Sequence, residues 1–183
     1  YGASLGKTYD RKRAYELFDL AETNMQPKKF LVNLLTTFRG DVLKRDGRWP
    51  EAEKLYYAAW KKDPTQLNFL YEINRHYWDV DPGLFQNEKE LQKTIFSKYA
   101  YLTAYMKTDK SQKYLYNYRP FLEAVCEDAF FKNADEVTML APDGKKTKLA
   151  VADLRALVAQ LPQMPEEERL RREKMQAQMK KAR

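Results

Sequence analysis

Apolar side chains recur every three or four residues through the first half of the chain, a spacing that predicts amphipathic helices with one buried face. The Asp46-Gly47 pair, Pro50 and Asp63-Pro64 are typical of helix ends and starts, and they divide the pattern into segments. The predicted helices cover residues 10–24, 28–45, 50–62 and 65–78. The apolar stripes of the first two are Ala14, Leu17, Phe18 and Ala21, then Leu31, Leu34, Leu35, Phe38 and Val42.

The second half is less regular but remains mostly helical. Helices are predicted over residues 88–107, 111–118, 120–130 and 150–161, and 165–183 forms a charged helix or a tail. Pro142-Asp143-Gly144 separates Val137–Leu140 from Lys146–Leu149, the best β-hairpin signal in the chain. We therefore expect a helical-repeat domain at 1–135, a hairpin plus short helix at 136–161, and a charged end at 162–183.

A short pattern occurs twice in the first half. Ala14-Tyr15-Glu16-Leu17-Phe18 aligns with Ala52-Glu53-Lys54-Leu55-Tyr56, and Pro27 and Pro64 follow the two blocks at nearly the same distance. A small alanine allows the paired helix to approach, while leucine and the aromatic residue fill the groove between hairpins. The repeat indicates stacked antiparallel helical hairpins.

Residues 14–78 resemble pentatricopeptide repeats. In that family the second helix has the pattern Gly-x-x-x-x-Ala-x-x-Leu-[Phe/Tyr] before a turn with proline, and Gly47, Ala52, Leu55, Tyr56 and Pro64 match it. Tetratricopeptide repeats rank second, because the chain lacks their Trp-Leu-Gly-Tyr pattern. The resemblance implies a mainly α fold, an antiparallel helical-hairpin array to which the sequence adds one short β-hairpin near the C-terminus.

The family usually binds single-stranded RNA in mitochondria or plastids, one base per repeat. The base-reading positions would fall at Asn33 and Thr65 in the clearest repeat, and both are polar. In the next repeat the position falls at Leu70, which cannot hydrogen-bond to a base edge. Two recognisable repeats are also too few for sequence-specific RNA binding, so the fold resemblance is stronger than the RNA inference.

In size, helix content and degenerate repeats the chain is similar to pentatricopeptide-like subunits of the euglenozoan mitochondrial ATP synthase. That resemblance implies a non-catalytic structural subunit of a proton-transport complex, bound to α subunits on the outside of the catalytic head, on the matrix side. The alternatives are an RNA-binding or mitochondrial ribosome-associated factor and a tetratricopeptide-type adaptor that binds peptides. A cleaved targeting peptide would fit the mitochondrial interpretation.

Composition limits the kinds of partner and the kinds of site that the chain can have. The net charge of +7 favours an acidic protein surface, RNA or anionic lipid as partner, although solubility alone would also explain it. The lone Cys126 excludes an internal disulfide and a cysteine-rich zinc site, and His76 is the sole histidine. No stretch approaches the roughly 20 apolar residues of a membrane span. We expect no catalytic residue, no cofactor, no metal and no membrane insertion.

Two surfaces are candidates for partner binding. Interface residues are expected at the ends of the array, in Tyr9–Arg13 and Tyr99–Tyr118, and among surface-type tryptophans at positions 49, 60 and 78. A basic face with stacking aromatics would instead favour RNA. That face would consist of Lys28, Lys29, Lys44, Arg45 and Arg48 near Phe30 and Trp49.

Overall fold

A computed structural model describes residues 10–24, 29–78, 88–108, 114–127 and 133–181. Helices dominate, and the described strands form one antiparallel pair near the C-terminus, as the sequence predicted. The elements are α1 (Arg11–Asn24), α2 (Lys29–Arg45), α3 (Trp49–Lys62), α4 (Leu67–His76), α5 (Glu88–Tyr105), a 3₁₀ helix (Leu115–Tyr118), α6 (Arg119–Glu127), β1 (Glu136–Leu140), β2 (Lys146–Ala150), α7 (Val151–Gln160) and α8 (Glu166–Lys181).

Helices α1 to α5 form a stack in which each helix packs on the next. The connection between α2 and α3 is short because Gly47 adopts φ +72°, a left-handed conformation that ends α2. The amide of Arg48 then donates to the carbonyl of Leu43 at 2.9 Å, and that of Gly47 to Lys44 at 3.1 Å. These bonds satisfy carbonyls at the end of α2 and turn the chain directly into α3.

Helices α2 and α3 approach closely at Gly40. A Cβ atom built on Gly40 would lie 2.3 Å from Cζ and Oη of Tyr56, which is fully buried. Ala52, one turn before Tyr56, is also fully buried. The aromatic ring of the repeated pattern thus packs within the α2–α3 hairpin, where Gly40 supplies the space opposite it, whereas the sequence pattern predicted this ring in the groove between hairpins.

One hydrophobic cluster runs from Leu43 at the end of α2 to Leu161 after α7. Strand β1 packs on α5, and α6 packs on α7, so the hairpin and the last packed helix share a core with the helical stack. Residues Val137 and Leu149 face each other across the hairpin and both are buried. A smaller cluster holds α1 on α2 through Ala14, Phe18 and Val42.

Several local predictions need correction. Leu34 was expected in the buried stripe of α2, but its side chain is 37% exposed, because α2 buries only its C-terminal half deeply. Trp49 and Trp60 are not surface aromatics: both pack partly buried against the main cluster. The predicted helix at 111–118 is a four-residue 3₁₀ helix in its described part, with 111–113 outside the described residues. The predicted helix at 120–130 corresponds to α6, and its positions 128–130 lie outside the described residues.

Candidate protein-docking site

An aromatic pocket of about 450 Å³ lies where α4, the end of α5 and the 3₁₀ helix meet. Six of its nine lining residues belong to Tyr99–Tyr118, one of the two regions in which the sequence predicted an interface, and the other three come from α4 and the residues just after it. The other region, Tyr9–Arg13, is only partly within the described residues. The pocket is lined by Tyr71, Arg75, Trp78, Tyr101, Tyr105, Tyr114, Leu115, Asn117 and Tyr118.

Buried side chains fix the floor of the aromatic pocket. The ring of Tyr118 packs edge-on against Trp78, with centroids 5.0 Å apart, and lies 5.8 Å from the ring of Tyr101. The Nδ2 group of Asn74, which is fully buried, donates to the hydroxyl of Tyr118 at 2.7 Å. A hydrogen bond between two buried groups holds the ring in one orientation, so the floor is preformed.

The rim of the aromatic pocket exposes large apolar surface. Trp78 is 41% exposed, Tyr71 is 44% exposed and Tyr114 is 66% exposed. The guanidinium group of Arg75 is also open to solvent, although it lies 3.7 Å from the carboxylate of Glu72. Tryptophan, tyrosine and arginine are the residue types that contribute most to protein–protein binding.

Two hydroxyl groups of the aromatic pocket, those of Tyr101 and Tyr118, remain protonated at physiological pH. Burial, followed by the neighbouring Tyr105 and Tyr71 hydroxyls, raises the pKa of Tyr101 to about 12. Burial is also the main cause that raises the pKa of Tyr118. The pocket therefore offers neutral hydroxyl groups and aromatic faces, a combination suited to binding an amphipathic side chain and not to proton transfer.

A buried lysine supports the pocket from behind. Lys98 is only 2% exposed, and its ammonium group donates to the carbonyl of Tyr77 at 3.1 Å. The same ammonium lies 5.5 Å from the ring centroid of Trp78, 5.7 Å from that of Tyr118 and 4.9 Å from that of Phe121. These cation–π contacts help to fix Trp78 at the rim. No sequence pattern predicted this cluster, because its members come from α4, α5 and the segment 115–121.

A second cavity of about 670 Å³ lies between α3, α5 and the hairpin turn. Its walls carry both signs of charge, and several of these groups already have partners within the chain. The ammonium of Lys93 lies 2.7 Å from the carboxylate of Glu53, and that of Lys61 lies 3.3 Å from Asp143 in the turn. This cavity is larger than the aromatic pocket, but half of its lining residues are charged and none is aromatic.

Of the residues predicted to form a basic face for RNA binding, Lys44, Arg48 and Trp49 have partners within the chain. Lys44 makes ion pairs with Asp41 at 2.8 Å and Glu72 at 2.7 Å, and Arg48 pairs with Glu51 at 2.5 Å. The ring of Trp49 stacks on His76, with centroids 3.9 Å apart. Lys28 and the side chains of Lys29 and Phe30 lie outside the described part of the chain. Paired cations and a covered ring weaken the case for phosphate binding and base stacking here.

Of the candidate base-reading residues, Asn33 lines a groove, Thr65 is hydrogen-bonded to Asp63, which lines the same groove, and Leu70 is buried. Asn33 lines a groove of about 390 Å³ between α2 and α3, next to the exposed Val32. Thr65 is not among the lining residues of that groove, and its hydroxyl donates to Asp63 at 2.7 Å. Leu70 is 1% exposed and belongs to the core.

The two residues considered for catalysis have different surroundings, since Cys126 is buried and His76 is exposed with its ring stacked on Trp49. Cys126 is buried in α6, and burial raises the pKa of its thiol, which disfavours the nucleophilic thiolate. Desolvation by its neighbours lowers the pKa of His76, so its imidazole is neutral at pH 7. Within the described residues, no group of three or more metal-ligating side chains comes together. The same residues include no helix with the length and apolar character that a membrane crossing requires.

Comparison of the chain with protein-family models, curated protein sequences and solved structures gives no match.

Proposed function

We propose that this chain is a non-catalytic structural subunit of a large mitochondrial assembly, bound to α subunits on the outside of the ATP synthase catalytic head. The aromatic pocket is the observation that carries the protein-binding part of this proposal. It combines a rigid floor of buried rings with an exposed rim of tryptophan, tyrosine and arginine. The resemblance to pentatricopeptide-like subunits of that enzyme supplies the candidate assembly.

The pocket has the dimensions and chemistry of an anchor site for a partner side chain. A cavity of about 450 Å³ accommodates one or two large side chains. Because its floor is preformed, binding would order few groups, and most of the contact energy would contribute to affinity. The mechanism is surface complementarity around this anchor, with a stable contact covering roughly 800 Å² on each partner.

Co-purification tests the proposed function. The tagged chain is purified from euglenozoan mitochondria with nuclease treatment and a high-salt wash, and bound proteins are quantified by mass spectrometry. We expect α and β subunits of ATP synthase in a fixed ratio to the chain. Recovery of ribosomal proteins would contradict the proposal. Recovery of RNA that is lost on nuclease treatment would contradict it as well.

Variants of the pocket test its part in binding. Trp78→Ala and Arg75→Ala each remove a group from the rim, and we expect Trp78→Ala to weaken binding to the catalytic head by about 2 kcal/mol or more. Val32→Ala removes an apolar side chain that is 45% exposed in the separate α2–α3 groove, and it serves as the matched control. Circular dichroism verifies that each variant is folded. Equal affinity of all three variants and the unaltered chain would exclude the pocket as the anchor.

A further inference from the structure

Helix α8 contacts the rest of the described chain through its first half. The guanidinium of Arg172 donates to Asn117 Oδ1 at 2.7 Å and lies 5.8 Å from the ring centroid of Tyr116. Both partners belong to the 3₁₀ helix beside the aromatic pocket. These contacts fix the direction in which α8 leaves the body of the molecule.

One face of α8 continues past this contact. Glu168, Arg172, Met175 and Met179 follow each other at spacings of three and four, which places them on one side of a helix. Arg172 faces the 3₁₀ helix, whereas Met175 is 51% exposed and Met179 is 61% exposed. The side of α8 that contacts the body therefore continues for two more turns towards the C-terminus, and the apolar side chains in those turns are exposed.

Charge divides α8 into two halves. In the first half, Glu166 and Glu173 both pair with Arg169, and Glu168 pairs with Arg172 at 2.9 Å. From position 174 to the last residue the sequence has no acidic residue. Four of the chain's basic residues lie in that stretch: Lys174, Lys180, Lys181 and Arg183. Acidic and basic side chains of the first half pair within the helix, whereas the sequence from position 174 onward contains only basic charged residues.

We propose that residues 174–181 of α8 form a docking arm that binds an acidic groove on the surface of the partner protein. This inference rests on the proposed function, because the groove would belong to the same assembly. Met175 and Met179 would enter the groove, where flexible thioether side chains adapt to irregular apolar surface. Lys174, together with the positive charge of the sequence that follows it, would attract carboxylates of the partner and accelerate association.

The composition of the docking arm favours a protein groove over a lipid surface. Helices that lie in a membrane interface carry a broad apolar face with bulky side chains such as tryptophan, phenylalanine or leucine. Between residues 174 and 183 the apolar residues are two methionines and two alanines, and none is aromatic. Two methionines on one side fit a narrow groove, in which a few anchors specify the position of the helix.

Binding of the full chain to a catalytic head from which the chain has been removed tests the docking arm. We expect Met175→Ser with Met179→Ser to weaken the affinity at least tenfold. Gln176→Ser with Gln178→Ser, which changes two other exposed positions of the same helix, should leave the affinity within twofold. Lys174→Glu should lower the association rate constant and flatten its dependence on salt. A photo-crosslinker at position 175 should label an acidic segment of a head subunit.

The outcomes separate the two proposals. If the unaltered chain does not bind the head, the proposed function fails and the docking arm fails with it. If the unaltered chain binds and the methionine variant binds equally well, the arm is overturned while the proposed function stands. Binding of the chain to vesicles of phosphatidylcholine and cardiolipin, or self-association, would also overturn the arm if the methionine variant abolished it.

Discussion

The carboxylate of Glu53 is a charged group that lies in the protein interior. Glu53 is 2% exposed, and its carboxylate accepts hydrogen bonds from Lys93 at 2.7 Å and from the Tyr77 hydroxyl at 2.9 Å. These residues join α3, the end of α4 and α5 at one point. A buried carboxylate is stable only with such partners, so this group specifies how the three helices pack.

The two partners of the Glu53–Lys93 pair should differ in their sensitivity to mutation. Lys93→Met leaves a buried carboxylate without its cation, and we expect a loss of about 3 kcal/mol in the free energy of unfolding. Glu53→Gln leaves Lys93, whose side chain is 21% exposed and reaches water, so a loss of about 1 kcal/mol is expected. Urea denaturation measures both. A larger loss for Glu53→Gln would contradict this account.

Gly40→Ala should destabilise the protein although alanine is the better helix former. The added methyl group would overlap the ring of Tyr56, which is enclosed on all sides. We expect a net loss of about 2 kcal/mol, since overpacking outweighs a helix-propensity gain of about 1 kcal/mol. In a Tyr56→Leu background, where the ring is absent, the same substitution should cost much less. Additive effects in this double-mutant cycle would exclude a direct clash.

His76 should titrate below its ordinary pKa of 6.5 in the folded protein. A depressed folded pKa means that the unfolded chain binds the proton more readily, so stability is lost as pH falls from 6.5 through the folded pKa. As the sole histidine, it gives one imidazole signal in an NMR titration. The midpoint should rise towards 6.5 in urea. A folded midpoint at or above 6.5 would show that stacking on Trp49 does not desolvate the ring.

At the scale of elements, the boundaries of helices and turns were predictable from the sequence, whereas contacts between residues far apart in the chain were not. Gly47, Pro50 and the turn Pro142–Gly144 mark boundaries through backbone preferences that act within a few residues. The aromatic pocket depends on contacts such as that of Asn74 with Tyr118, which are 44 residues apart. The exposed Leu34 shows the same limit, because periodicity identifies an apolar face but not whether another element covers it.

Removal of α8 should have little effect on stability. The hydrogen bond and the cation–π contact that join α8 to the body are both made by Arg172, and the ion pairs of Arg169 lie within the helix at exposed side chains. We expect truncation after Pro165 to change the free energy of unfolding by less than about 1 kcal/mol, since exposed ion pairs contribute little. Thermal denaturation followed by circular dichroism provides the measurement. A loss several times larger would mean that α8 is an integral part of the core.

The described residues form one large hydrophobic core, and α1 is attached beside it through a small cluster. The main cluster joins elements from α2 to α7, while α1 is held by the small cluster of Ala14, Phe18 and Val42 and by ion pairs of Arg39 with Asp19 and Glu22. Contiguous burial predicts cooperative unfolding of the main body. Among the described elements, α1 packs mainly on α2, as a terminal repeat packs on one neighbour.

Native-state hydrogen exchange should therefore separate α1 from the main body. Amides of α1 should exchange through local opening at a lower free energy than those of α3, α4 and α5. Phe18→Ala should reduce the protection of α1 further, while that of α4 stays within experimental error. Leu102→Ala, which alters the main core, should lower protection throughout. Uniform loss of protection in Phe18→Ala would contradict a separately opening end.

The position of Trp78 also gives the protein a built-in optical probe. The chain has three tryptophans, and while Trp49 and Trp60 pack against the core, Trp78 is 41% exposed at the rim of the aromatic pocket. Its fluorescence should emit at longer wavelength and be quenched more readily by acrylamide than that of the other two. A partner that covers the pocket would shift this emission to the blue, so binding could be followed in unlabelled protein.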